Sequence, residues 1–225
     1  DSEPPILTIP VSTEGLVSYK ALLFVPSAAP YNYFTKDYKK GLRLYSGGVM
    51  IMDCCEDLLP DCFRFVKGVV ESDDLSLNIS RETLQQDHQL KAISANIEKK
   101  IRTELKKLLE NDRENYEKFF AAFGIQLKYG VTADYGMHSA DIKDLLLYYS
   151  RKQKKMITLD EYVAAMPEGQ KYIYYACGDS VNKINAMPQT ELIDEKGYDM
   201  LCCTDDVDEF VMQIINKVGE KELCS

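Results

Sequence analysis

The amino-acid sequence predicts an α/β protein with a larger α/β unit, a helical connector and a smaller α/β unit. Three observations carry the prediction. Apolar residues alternate at every second position in early stretches, and they switch to steps of three and four between Leu90 and Leu108. After residue 170 the signals run strand, helix, strand, helix. The 225 residues suit one large domain or two modest ones at roughly 100–200 residues per domain, and such a chain buries roughly 70% of its unfolded surface without covalent staples.

Within residues 15–25, Val17, Tyr19, Ala21, Leu23 and Val25 occupy every second position before Pro26 ends the run, which predicts a strand. A strand pair is expected across 42–45 and 49–52, with Gly47-Gly48 making the bend. Between these lies the aromatic loop Tyr31–Lys36, expected to pack into the core rather than to bind a partner. Leu90, Ile93, Ile97, Ile101, Leu105 and Leu108 predict a long amphipathic helix, with lysines and Arg102 on its solvated faces. Asn111-Asp112 breaks it. The next helix runs through Phe119, Phe120 and Phe123 and is expected to stop at Gly124. Ser139 is a cap for a further helix carrying Ile142, Leu145, Leu146 and Tyr149, and the polar run 151–155 reads as a linker.

Thr158 and Glu161 form a capping box, in which hydroxyl and carboxylate satisfy each other's free backbone N–H groups. A strand follows at 171–176, a helix at about 180–187 and a strand at 198–203. The last helix begins near Asp205, with Val207, Phe210, Val211, Ile214, Ile215 and Val218 as its buried stripe. Strand, helix, strand, helix predicts a small parallel unit.

The 27 basic and 36 acidic side chains leave a formal charge of −9. With no basic surplus to displace counterions, this argues against nucleic acid and anionic membranes as partners. The charge is uneven: residues 191–225 hold ten acidic against three basic residues, so −7 of the −9 lies there, which reads as a solvated acidic face. Seven cysteines, odd in number and with two neighbouring pairs, do not form a disulfide framework and indicate a reducing, cytoplasmic setting. No CxxC occurs and both histidines lie far from every cysteine, so no metal site is expected. No run approaches the roughly 18 apolar residues that span a bilayer, and the start has neither part of a signal peptide. The chain opens on Asp1 without methionine and closes on Cys224-Ser225 without a final element, the expectation for a piece of a longer protein.

Phosphate-loop, dinucleotide, zinc-protease and nucleophile-elbow motifs are missing. His88 and His138 sit on polar helical stretches without a marked nucleophile, and Asp73-Asp74 and Asp205-Asp206 occupy turn or cap positions with a structural task. Asn78-Ile79-Ser80 fits the glycosylation pattern, which a cytosolic protein never uses.

Residues 58–86 are the informative segment. Phe63, Phe65, Val66, Val69 and Val70 make a buried run ending in the acidic turn 71–74, and an irregular loop, 75–81, precedes the long helix. Asn78 and Ser80 are both capping types. Arg81 falls in the opening turn, where its charge opposes the helix dipole by ~0.3–1 kcal/mol. Either solvent hides that cost, or the arginine serves an anion.

These residues closely resemble the middle domain of the Hsp90 chaperone family. The matching stretches are 42–45 through Asp53, Phe65-Val66-Lys67-Gly68-Val69-Val70-Glu71-Ser72, Leu77-Asn78-Ile79-Ser80-Arg81-Glu82 with Leu84-Gln85-Gln86, and Tyr162-Val163 through Met166-Pro167-Glu168-Gly169-Gln170-Lys171 to Ile173-Tyr174-Tyr175. They run in family order over nearly the whole chain and look more like the bacterial form than the eukaryotic cytosolic one. The resemblance implies a larger α/β/α subdomain with a catalytic loop at 1–110, a helical connector at 111–155 and a smaller α/β subdomain at 156–225.

It also implies an N-terminal ATP-binding domain and a C-terminal dimerisation domain on the same chain, homodimerisation at full length, ATP with Mg bound there and not by this segment alone, and client proteins and co-chaperones as partners. Arg81 would then reach the γ-phosphate as the catalytic residue, with Asn78, Ser80 and Gln85 supporting the loop. Arginine suits the task, because its permanently charged planar fork holds phosphate oxygens where lysine offers a point charge. Three residues depart from the family pattern: Ser76 stands for proline, Met50 for phenylalanine and Thr83 for a larger apolar residue. The alternative is a docking module for clients or co-chaperones with Arg81 merely structural. An independent enzyme would require turnover by the segment unaided.

Overall fold

The computed structural model describes residues 3–15, 17–75 and 88–225. These fall into two compact units, Asp1–Phe123 and Gly124–Ser225. The observed architecture is mixed α/β, as the sequence predicts.

The first unit is organised on a five-stranded sheet. Its strands are β1 (Leu7–Thr13), β2 (Tyr19–Val25), β3 (Leu42–Ser46), β4 (Val49–Cys55) and β5 (Lys67–Glu71), in the order β1-β2-β5-β3-β4. On β2 the alternation holds, with Tyr19, Ala21, Leu23 and Val25 buried, although the strand opens at Tyr19 rather than at residue 15. Pro10 hides β1 in the sequence; a residue with no N–H is confined to sheet edges, and β1 is an edge strand. Gly47 and Gly48 both have positive φ (56° and 75°), the conformation a two-residue hairpin needs, and they join β3 to β4 with Ser46 opposite Val49. β5 lies between β2 (antiparallel) and β3 (parallel). Its Gly68 is required: φ is 149° and a Cβ would sit 2.2 Å from the Leu22 carbonyl oxygen.

An aromatic cluster of Tyr33, Phe65, Phe119 and Phe123 forms part of the core. Helix α1 (His88–Asn111) buries Leu90, Ile93, Ile97, Ile101, Leu105 and Leu109; the last turn keeps the step of four, so Leu109 takes the place expected of Leu108. Helix α2 (Arg113–Thr132) does not stop at Gly124. Tyr116, Phe119, Phe123, Leu127 and Val131 continue its buried face through the glycine, and that burial outweighs the ~1 kcal/mol a helical glycine costs. Phe123 stacks on Phe65 at 4.8 Å and meets Tyr33 edge-on at 5.3 Å. The aromatic loop divides: Tyr33 is buried as expected, whereas Tyr31 and Phe34 are 101% and 68% exposed.

The second unit has a six-stranded sheet. The strands are β6 (Tyr148–Ser150), β7 (Lys155–Ile157), β8 (Tyr172–Cys177), β9 (Leu201–Cys203), β10 (Lys217–Val218) and β11 (Lys221–Cys224), in the order β10-β11-β8-β9-β6-β7. The predicted parallel pairing exists between β8 and β9 and between β8 and β11, but β6, β7 and β10 add antiparallel margins. Residues 151–154 are therefore a turn between β6 and β7, not a linker, with Lys154 in the left-handed region. Tyr149 lies on β6, because the helix begun at Ser139, α3 (Ser139–Ile142), gives way to a single 3-10 turn.

The capping box is present on α4 (Leu159–Ala164): Glu161 N donates to Thr158 Oγ1 (3.1 Å) and Thr158 N to Glu161 Oε2 (2.8 Å). Ser180 caps α5 (Val181–Asn185), which is followed by α6 (Gln189–Glu195). The last helix, α7 (Asp208–Ile215), buries Val211, Met212 and Ile215; Phe210 is 61% exposed and Val218 belongs to β10, so neither joins the expected stripe.

Candidate functional site

Arg81, Asn78, Ser80 and Gln85 lie outside the described residues, as do Ser76 and Thr83. The segment after β5 leads into residues 76–87, and the helix beginning at His88 follows them.

The incoming stem leaves β5 at Glu71 and is held from two sides. Ser72 N donates to the Tyr45 carbonyl (3.1 Å) and Ser72 Oγ to that of Ser18 (2.7 Å). Three carboxylates accept from backbone N–H groups that the turns leave unpaired: Glu71 from Gly48 (3.0 Å), Asp73 from Gly47 (3.1 Å) and Asp74 from Ser18 (2.7 Å). Ser46 Oγ, itself buried, donates to the carbonyl of the buried Leu75 (2.7 Å). Turn backbone exposes donors, and a carboxylate satisfies them at short range. The Asp73-Asp74 pair thus has the structural task its position predicts. The outgoing stem is α1, anchored at once by buried Leu90 and Ile93. Met50, one of the departures from the family pattern, is half exposed beside the hairpin on edge strand β4, where a change of side chain disturbs little packing.

Other chemistry-bearing residues are accounted for. His88 is the first residue of α1 and exposed, and His138 stands at the start of α3. All seven cysteines are free thiols. Burial pushes Cys55 and Cys202 up to about 11 and Cys62 up to about 12, which keeps them protonated and unreactive. Among the described residues, no group of three or more His, Cys, Asp or Glu side chains is placed to hold a metal ion, and no helix is long and apolar enough to cross a membrane.

One cluster escapes sequence reading. Lys128 on α2 is 4% exposed, yet its Nζ lies 2.7 Å from Asp205 Oδ2 and 2.7 Å from Asp208 Oδ1, and 4.8 Å from the centre of the Tyr148 ring. Burial raises the Asp208 carboxyl above its ordinary value even against the pull of Lys128. The available signal is that Lys128 is the only charge between Lys118 and Asp134, inside a stretch rich in apolar residues.

The Hsp90 protein family profile matches residues 1–225. Chaperone protein HtpG of Oceanobacillus iheyensis is 56% identical over 223 residues, covering 99% of this chain and 36% of that protein, and HtpG of Bacillus subtilis is 55% identical with the same coverage. The chain therefore spans about a third of the length of these relatives. Among solved structures, the middle domain of a Plasmodium falciparum heat shock protein superposes with a TM-score of 0.85 at 27% identity, covering 98% of this chain and 87% of that one. The family match over residues 1–225, the relatives at more than half identity and the superposed middle domain lead to one conclusion: the chain belongs to the Hsp90 family, as its middle domain.

Proposed function

We propose that this chain is the middle segment of an ATP-driven cytoplasmic chaperone, in which Arg81 is presented to the γ-phosphate of ATP held with Mg on a separate N-terminal domain. One observation supports the reading above the others: the stretch Leu77-Asn78-Ile79-Ser80-Arg81-Glu82 is strung between a stem fixed by six hydrogen bonds and the first turn of a packed helix. Fixed ends limit where a short loop can carry a cation, and a cation is useful to phosphoryl transfer only when its position is set beforehand. The guanidinium would balance charge on the phosphate oxygens, while Asn78, Ser80 and Gln85 shape the loop that carries it. The segment alone is not an ATPase on this reading, and dimerisation belongs to a C-terminal domain.

The test is Arg81→Ala in the full-length protein. ATP hydrolysis should fall at least ~10³-fold, the range an arginine finger commands, while nucleotide binding stays close to that of the unmodified protein. Unchanged turnover refutes the role. Adding the isolated ATP-binding domain to this chain should raise hydrolysis only when Arg81 is present.

A second reading, docking of client proteins or co-chaperones, is favoured by Tyr31 and Phe34, two large aromatic side chains left exposed beside the buried Tyr33. Tyr31→Ser with Phe34→Ser should weaken client capture without changing the fold.

A further inference from the structure

β8 and β9 are parallel neighbours, and Cys177 and Cys203 are paired at their carboxyl ends. Paired residues on adjacent strands project to one face of the sheet, and strands lie about 4.8 Å apart, inside the 4.4–6.8 Å Cα separation that a disulfide spans. The two thiols lie close enough for each to shift the other's titration. Cys202, the intervening neighbour, faces the other way and packs with Ile184 and Met200.

The position in the sheet is equally informative. From β8 the chain passes through α5 and α6, on the Cys202 face, to β9. From β9 it passes through α7 and β10 back to β11, on the far side of β8. Right-handed crossovers that run in opposite directions put their helices on opposite faces, so the connections diverge between the ends of β8 and β9. That divergence is the topological switch point of the sheet, the place where an open α/β sheet leaves a crevice for small molecules.

The pair is asymmetric. Cys203 is buried, whereas Cys177 is partly exposed. The Cys203 side chain holds the Cys177 thiol below its ordinary value, against burial and the carboxylates of Asp208 and Glu209, with the buried Lys128 assisting. Burial holds Cys203 well above its ordinary value, and Cys177 and Asp208 act in the same sense. One sulfur can therefore be reached and deprotonated, and the other waits beside it as a thiol.

We propose that Cys177 and Cys203 are an oxidative modification site: Cys177 is the peroxide-sensitive cysteine and Cys203 its resolving partner, closing a disulfide between β8 and β9. The co-reactant is a hydroperoxide. The Cys177 thiolate attacks its terminal oxygen, the O–O bond breaks, and Cys177 becomes a sulfenic acid while the peroxide leaves as alkoxide or hydroxide and takes up a proton. Cys203 sulfur then attacks the sulfenic sulfur; the S–S bond forms, the S–O bond breaks, and the hydroxyl leaves as water with the Cys203 proton. Two thiols lose two electrons and one peroxide gains them. The site is independent of the ATP reading, since it uses none of residues 76–87.

The experiment treats the 225-residue chain with a modest molar excess of hydrogen peroxide, followed by alkylation and peptide mapping. Alkylatable thiols should drop from seven to five, two per disulfide, with one cross-linked peptide pair carrying Cys177 and Cys203 that dithiothreitol releases. Cys203→Ser should stop at a sulfenic acid on Cys177, captured by dimedone. Cys177→Ser should leave Cys203 fully alkylatable after unfolding, and the far-ultraviolet circular dichroism of both variants should match that of the unmodified chain. Persistence of seven thiols, a disulfide between other cysteines such as Cys54 and Cys55, or peroxide consumption unchanged in Cys177→Ser overturns the proposal.

Discussion

Replacing Lys128 by methionine keeps the apolar stem and removes the charge from a nearly closed site. Its Nζ is 2.7 Å from carboxylate oxygens of both Asp205 and Asp208, and the Asp208 side chain is 0% exposed. At an effective dielectric constant of about 20, two unit charges 2.7 Å apart attract by ~6 kcal/mol. The desolvation penalty of the lysine, relieved in the variant, offsets part of this, and removing one partner of a buried pair costs ~3–5 kcal/mol in net stability. Set against the ~5–15 kcal/mol that holds a domain folded, this is a large fraction.

The effect also has a pH signature. Burial already raises the Asp208 carboxyl, and Lys128 is the strongest influence pulling it down; without the lysine it rises further. Between the unfolded carboxylate value of about 3.9 and the raised folded value, the folded protein holds a proton that the unfolded chain has released. Stability then increases as pH falls through that window and decreases as pH rises. The deficit of Lys128→Met should be greatest at neutral pH and shrink in mild acid. Urea unfolding read by circular dichroism and tyrosine fluorescence measures it, as the chain has fifteen tyrosines and no tryptophan. Adding Asp208→Asn should recover most of the loss, since an amide needs no counter-charge. A single variant within ~1 kcal/mol of the parent at neutral pH refutes the account, because a broken buried pair costs several times that.

Two substitutions probe β5 and the stem that follows it. Ser46→Ala removes the donor to the Leu75 carbonyl and should destabilise the first unit by ~1–3 kcal/mol, seen as a lower urea midpoint; in the full-length protein ATP hydrolysis should fall with Arg81 untouched. Gly68→Ala sets a Cβ 2.2 Å from the Leu22 carbonyl oxygen at a φ that L side chains rarely adopt, so β2 and β5 must separate. A loss on the order of 3 kcal/mol or more is expected, and a chain with unchanged thermal unfolding contradicts the register.

The elements legible in the sequence are those whose signal is local. The step from Leu90 to Leu105 foretells α1, Gly47-Gly48 the hairpin, and Thr158 with Glu161 the cap, because each is satisfied by residues a few positions apart. The misread elements depend on distant partners. β1 carries a proline that only its edge position excuses, β6 and β7 are three residues each and exist through pairing with β9 and each other, and α2 runs past Gly124 because Phe123, Leu127 and Val131 are buried. The candidate loop was legible through its motif, whereas the hydrogen bonds fixing its stem join residues as far apart as Ser18 and Asp74.

Composition, period and motif are properties of the linear chain, and with them the α/β class, the amphipathic long helix, the acidic character of the last 35 residues and the family are all readable before any folding. Which charges are buried and which thiols meet depends on the folded backbone. Lys128 finds Asp205 across 77 positions, and Cys177 finds Cys203 across two strands. Such pairs form only when the backbone closes on itself, so the local sequence can mark Lys128 as a lone charge but cannot name the partner that burial and proximity give it.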